Sequence, residues 1–186
     1  MASVDMTTVD GNTWYWITEW RVNWTSGFTY NGNGNLYFAA ANNESLSNGM
    51  QWQLYELPNR RFNFRARNSN TLKQLSVCYN TEEVSPSDTQ PCMEESNAEE
   101  RQQWTIEPWG DGSYKIQNVE NGTALNLDWH PGGPGFMSPD TEITPIQPAQ
   151  HWIFSSVGLV QDGLYSTSIV PVSLTSQPSR DVYRAA

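Results

Sequence analysis

Apolar and polar residues alternate along this chain in short runs broken by Gly, Asn, Ser and Pro, and nowhere do the apolar positions keep a 3.6-residue period. The runs are rich in aromatic and β-branched residues, as in Trp14-Tyr15-Trp16-Ile17-Thr18-Glu19-Trp20, so each reads as a strand. Asn-Gly punctuation at Asn31 to Asn35 leads into Leu36 to Ala40, read here as the second strand of its block, and Trp52 to Leu57 closes that block at Pro58-Asn59. Arg61-Phe62-Asn63-Phe64-Arg65-Ala66-Arg67 alternates at period two and predicts a half-buried strand with its basic face in water. Further strands are expected at Gln74 to Cys78, near Cys92-Met93, at Trp104 to Trp109, Gly112 to Val119, Ala124 to Asp128, Phe136-Met137 and Trp152 to Phe154. The predicted class is all-β.

These strands repeat. Gln150-His151-Trp152-Ile153-Phe154 echoes Gln102-Gln103-Trp104-Thr105-Ile106 and, more loosely, Met50-Gln51-Trp52-Gln53-Leu54, so a tryptophan recurs about every fifty residues. Three four-stranded blocks follow, at about 12–58, 59–110 and 111–157, with Phe136-Met137 where Cys92-Met93 stood. None of these blocks buries a face alone, so they should close on one another. Residues 1–11 read as a polar arm, 12–160 as the folded unit, and 161–186 as a closing segment with a Ser/Thr/Pro-containing tail.

Twenty acidic against ten basic residues among 186 give a net charge of −10, which repels phosphate backbones and anionic lipid and argues against nucleic acid as a partner. No apolar run is long enough to span a membrane. The first residues lack the basic and apolar regions of a secretory signal. Cys78 and Cys92 admit two readings, a local disulfide or two buried thiols in a reducing compartment. Sequons at Asn23, Asn43 and Asn121 lean, with the disulfide reading, toward an extracellular or secreted protein rather than a cytoplasmic one.

Two Gln-x-Trp phrases in register, Gln102-Gln103-Trp104 and Gln150-His151-Trp152, with Trp52 aligned to them, resemble the ricin-B-type β-trefoil lectins, which are carbohydrate-binding modules. Pro91-Cys92 and the ending Pro148-Ala149-Gln150-His151-Trp152 are similar to the fungal branch, and the likeness runs from Trp14 to Val157. It implies a pseudo-threefold barrel and cap, with the Gln-x-Trp residues mainly structural, and a disulfide joining a repeat's second and third strands, where Cys78 and Cys92 fall. It also implies that sugar binds an Asp just after the second strand. That position is taken as Asp128 in the third repeat, Cys78 in the second and about Ala39 in the first. Trp129 and His130 would then supply an aromatic face and a further polar contact, with Gln150 bracing the carboxylate. The pattern departs from the family where Ala149 and Arg101 replace its usual Asn, and where Phe136-Met137, behind Gly132-Gly133-Pro134-Gly135, offers no Trp or Tyr.

Catalytic chemistry finds little support. Glu82-Glu83, Glu94-Glu95 and Glu99-Glu100 read as solvated loop carboxylates, His130 as a turn residue and His151 as structural. No metal-ligand spacing, nucleophile elbow or phosphate-cradling loop is present, and no cofactor is expected. The expectation is a non-catalytic glycan-binding domain with at most one surviving site, in the third repeat. The alternatives are a trefoil that engages or inhibits a protein partner through loops 79–91 and 138–149, and a structural domain whose sugar sites have decayed.

Overall fold

A computed structural model describes residues 5–20, 26–33, 36–40, 48–69, 73–79, 89–122, 125–129, 134–139 and 148–165. Twelve strands lie among them: β1 (Thr13–Glu19), β2 (Ser26–Tyr30), β3 (Leu36–Ala40), β4 (Gln51–Leu57), β5 (Arg61–Ala66), β6 (Lys73–Tyr79), β7 (Thr89–Glu95), β8 (Trp104–Pro108), β9 (Tyr114–Asn118), β10 (Leu125–Trp129), β11 (Gly135–Pro139) and β12 (Trp152–Leu159). All pairings between them are antiparallel.

The first and fourth strands of each repeat pair in the order β9-β12-β1-β4-β5-β8, and β8 pairs back onto β9, so six strands close a barrel without a free edge. The second and third strands of each repeat form a hairpin: β2–β3, β6–β7 and β10–β11. Six barrel strands and three hairpins in a threefold arrangement make a β-trefoil.

The repeated tryptophans explain why the copies share one geometry. Trp52, Trp104 and Trp152 are completely buried. Their indole N–H groups donate to the carbonyls of Phe28 (2.8 Å), Leu75 (2.9 Å) and Leu127 (2.9 Å), each in the second strand of its own repeat. Each ring thereby fixes its barrel strand to its own hairpin. A buried indole of about 200 Å² contributes roughly 5 kcal/mol by area, as an upper bound. Phe28 stacks on Trp52 (5.0 Å, 15°) and meets Trp152 edge-on (5.9 Å), which ties the first repeat to the third.

Three sequence expectations change. In the first repeat the second strand is β2, and Leu36–Ala40 is the third, because the Asn31–Asn35 turn joins strands two and three. The basic face of the stretch 61–67 is only partly in water: Arg67 is exposed and Arg61 half-buried, but Arg65 is 0% exposed against the segment Gly163–Tyr165, and Asn63 is buried, donating to the Gln102 carbonyl (2.8 Å). Arg65 donates to the Tyr165 carbonyl (3.2 Å), and the Tyr165 hydroxyl donates to the Arg67 carbonyl (2.6 Å). The polar arm contributes to the core, since Met6 is buried there and its N–H donates to the Tyr114 hydroxyl (3.2 Å). Residues 158–159 extend β12, and Tyr165 packs edge-on against Trp14 (4.9 Å).

Candidate functional site

In a strand, successive side chains face opposite sides, so the hairpin register decides which residues can share a site. In β10–β11, Asn126 lies opposite Ser138, Leu127 opposite Met137 and Asp128 opposite Phe136. Leu127, Trp129 and Met137 belong to the core cluster; Asn126, Asp128, Phe136 and Ser138 therefore share the outer face. Trp129 is corrected on this ground. Being next to Asp128, its ring points inward, 7% exposed and stacked on Phe38 (4.2 Å, 9°), and it offers no face to a ligand at Asp128. The aromatic residue on the outer face is Phe136, partly exposed and directly across from the acid.

Asp128 and Gln150 do come together. Asp128 Oδ2 accepts from the Ser138 hydroxyl (2.5 Å) and Gln150 Nε2 (3.0 Å), and Oδ1 accepts from the Trp129 backbone N–H (2.6 Å). Gln150 also donates to the Pro139 carbonyl (2.8 Å), and its Oε1 accepts from Asn126 (3.3 Å). The acid is 4% exposed. A carboxylate offers about four lone-pair positions; three are taken by the described residues, which leaves one. Ser138 and Phe136 were missed from sequence, and period-two counting back from Pro139 across the hairpin is the signal that finds them. His130 lies outside the described residues, as do the sequons' Asn23 and Asn43 and the pair Glu82-Glu83.

Behind Gln150 a second polar group holds the backbone. The His151 ring is buried and stacks on Trp109 (4.8 Å, 15°), and its Nδ1 meets Asp111 Oδ2 (2.9 Å) and the Ser113 hydroxyl (2.7 Å). Trp109 Nε1 donates to the Gln150 carbonyl (3.1 Å). Burial pushes the Asp111 carboxyl upward, but the hydroxyl and N–H of Ser113, together with His151, outweigh it and hold the acid below its ordinary value. Ser113 is fully buried and shares the same ring nitrogen with Asp111, so the group braces a turn and presents no nucleophile.

The tryptophan bonds give the equivalences between repeats. Counting from Phe28, Leu75 and Leu127, the position of Asp128 is Thr29 in the first repeat and Ser76 in the second. The sequence alignment to Ala39 and Cys78 is thus corrected: Ala39 is on the third strand and Cys78 is two residues too far along. Cys78 and Cys92 form a disulfide (Cα–Cα 5.9 Å) across β6–β7. Their sulfurs lie near Glu94, but disulfide sulfurs are not thiolate ligands, so this group is no metal centre. In the first repeat the outer face is closed: a Cβ on Gly27 would collide with the Trp16 indole, which lies over that position. Asn121 sits in a surface turn and accepts from Thr89 (3.3 Å). Away from all these residues, a cavity of about 390 Å³ is lined by Met6, Phe62, Ile106 and Tyr114, with Arg60 and Glu107 at its rim.

Comparison with known proteins follows this geometry. A family model described as a ricin-type beta-trefoil lectin domain-like domain matches residues 48–136 and 100–170. Among solved structures, a designed threefold-symmetric protein, ThreeFoil, aligns at TM-score 0.61 and 18% identity over 80% of this chain and 100% of its own. The Macrolepiota procera ricin B-like lectin, solved in complex with lactose, aligns at TM-score 0.57 and 18% identity over 80% of this chain and 98% of its own. Cry35Ab1 aligns at TM-score 0.60 and 20% identity over 82% of this chain, which spans only 38% of that protein. At these identities the structural likeness establishes the fold alone. No curated protein matches the chain significantly by sequence.

Proposed function

Because the chain belongs to the ricin-type β-trefoil lectin-like family, we propose that it binds carbohydrate, without catalysis, on the outer face of the β10–β11 hairpin. The observation that carries this reading is the set Asp128, Ser138 and Gln150, held together by hydrogen bonds beside the partly exposed ring of Phe136. A sugar needs an acceptor for its hydroxyl protons and an apolar face for its C–H side. Asp128 supplies the first through its remaining lone-pair position, and Phe136 supplies the second. Gln150 keeps the acid from turning toward the barrel. Glycoside hydrolysis takes two carboxylates flanking one bond; Asp128 instead contacts a hydroxyl, an amide and a backbone N–H, which supports binding over catalysis.

The Cys78–Cys92 disulfide and the surface position of Asn121 support an exported, glycosylated protein. The decisive experiment is a glycan array, lactose-terminated structures included, probed with the parent and with Asp128→Asn. Binding by the parent and its loss in the variant is the expected result. A parent that binds no glycan despite the avidity of an array surface would overturn the reading.

A further inference from the structure

The two ends of the barrel differ. The repeated tryptophans stand at or near the starts of β4, β8 and β12 and reach the hairpins, which cap that end. At the other end β4 turns into β5 through 58–60, and β8 into β9 through 109–113. The cavity of about 390 Å³ lies there, between the 58–60 turn and the part of β8 that runs on past the Phe62–Trp104 pair. Its volume falls within the range of small-molecule sites, about 300–1,000 Å³.

The residue after each tryptophan explains why this junction is open. Between β1 and β4 that residue is Gln53, whose Nε2 donates to the carbonyls of Gly11 and Tyr165 and draws both segments over the barrel end. Between β5 and β8 it is Thr105, whose short side chain gathers no such cover, and among the described residues only Asp5 and Met6 of the N-terminal arm lie alongside. The walls left between them are apolar. Met6 and Phe62 are buried, and Ile106 and Tyr114 pack against the core cluster.

Arg60 stands at the rim under backbone strain. Asn59 and Arg60 both have positive φ (70° and 59°), a conformation that asparagine tolerates and arginine rarely adopts. Glycine would fit the turn without that cost. Such strain persists where a side chain serves a site. Arg60 has no hydrogen bond or ion pair among the described residues, whereas its neighbour Arg61 is held by Glu100 and Gln103. The acids at the same rim are engaged: Glu107 pairs with Lys115 (3.5 Å), and Asp5 also has a partner. The charge left to meet a ligand is therefore positive.

We propose that this cavity binds a small organic acid with an apolar body, the body lying against Met6, Phe62 and Ile106 and the carboxylate held by Arg60. A guanidinium pairs with a carboxylate through two parallel N–H···O bonds, which fixes the orientation of the acid as well as its charge. The Tyr114 hydroxyl accepts from the Met6 N–H (3.2 Å) and, among the described residues, donates to none, so its proton is a further donor for such a ligand. A neutral compound of the same shape would bury the same area and leave the guanidinium unused. The site shares no residue with the face at Asp128 and does not rest on the carbohydrate reading.

The test is a ¹⁵N amide titration of the whole chain with phenylbutyrate and, separately, with the neutral phenylbutanol. The acid should shift the amides of Met6, 59–62, 105–107 and Tyr114 in a saturable way. The alcohol should move the same group only at about tenfold or more higher concentration, the effect of losing a charge-assisted hydrogen bond. In Arg60→Gly, acid binding should fall to the level of the alcohol while the urea midpoint holds or rises, because glycine relieves the positive φ. Ile106→Trp, which fills the cavity, should abolish binding of both compounds, and its amide spectrum reports that it is folded. Equal binding of acid and alcohol, unchanged acid binding in Arg60→Gly, or no shifts with either compound would overturn the inference. So would a urea midpoint lowered by Arg60→Gly, which would assign the arginine to the turn itself.

Discussion

Replacing Asp128 by alanine removes three hydrogen bonds to one buried carboxylate: from Ser138 (2.5 Å), Gln150 (3.0 Å) and the Trp129 N–H (2.6 Å). Hydrogen bonds to a charged group are worth about 1.5–3 kcal/mol each, and a buried N–H left without an acceptor costs about 1–3 kcal/mol. The full sum is not lost. Gln150 keeps the Pro139 carbonyl and the Ser138 oxygen, and removing the carboxylate also relieves its desolvation. A net loss of about 2–3 kcal/mol is expected, a displacement of the urea midpoint by about 1 M for ordinary m-values. Tryptophan fluorescence reads it. Asp128→Asn keeps an acceptor for Trp129 but turns an N–H toward Gln150 or Ser138, so its loss should be smaller, about 1–2 kcal/mol. Both variants should remain folded, since domains have about 5–15 kcal/mol in hand. If the alanine variant loses less than about 0.5 kcal/mol, or the asparagine variant loses more than the alanine one, the described network does not hold the hairpin.

Four further outcomes follow from the same coordinates. Trp152→Phe orphans the Leu127 carbonyl and leaves a void, and should cost about 3 kcal/mol in chemical denaturation, with Trp104→Phe at Leu75 within about 1 kcal/mol of it. Asp111, held below its ordinary value of 3.8, contributes stability that is present above that pH and lost as pH falls through its folded value. The difference in melting temperature between parent and Asp111→Asn should therefore narrow as pH drops from about 5 to about 2, and a constant difference would count against the role of Ser113 and His151. Reducing Cys78–Cys92, which closes a loop of sequence separation 14, should cost about 3 kcal/mol by calorimetry. Arg65→Met should be neutral or stabilising in a thermal melt, because the guanidinium is fully buried and among the described residues hydrogen-bonds only the Tyr165 carbonyl, whereas Arg65→Ala should destabilise by leaving a cavity.

The barrel strands were legible because the repeated tryptophans mark them, and the all-β class follows from the absence of a helical period. The first hairpin was not. Ser26–Tyr30 has a glycine where the other second strands carry an amide, so its pattern is thin and the stronger Leu36–Ala40 run took its place. Trp129 misled because an aromatic beside an acid looks like a sugar platform, while strand alternation forbids the two from sharing a face. Arg65 was read as solvated because the segment that buries it lies 100 residues away, a distance that local periodicity does not register.

The three repeats are constrained unequally on their two faces. Inward, each tryptophan must reach a carbonyl of its own second strand, and Phe28, Leu75 and Leu127 keep that position apolar. Outward, nothing in the barrel demands a particular residue, and the copies diverge: the Trp16 indole closes the first face, Ser76 and Glu94 form the second, and Asp128 and Ser138 form the third. The acid–hydroxyl bond is kept with its strands exchanged, because it ties the second strand to the third whichever of the two carries the acid.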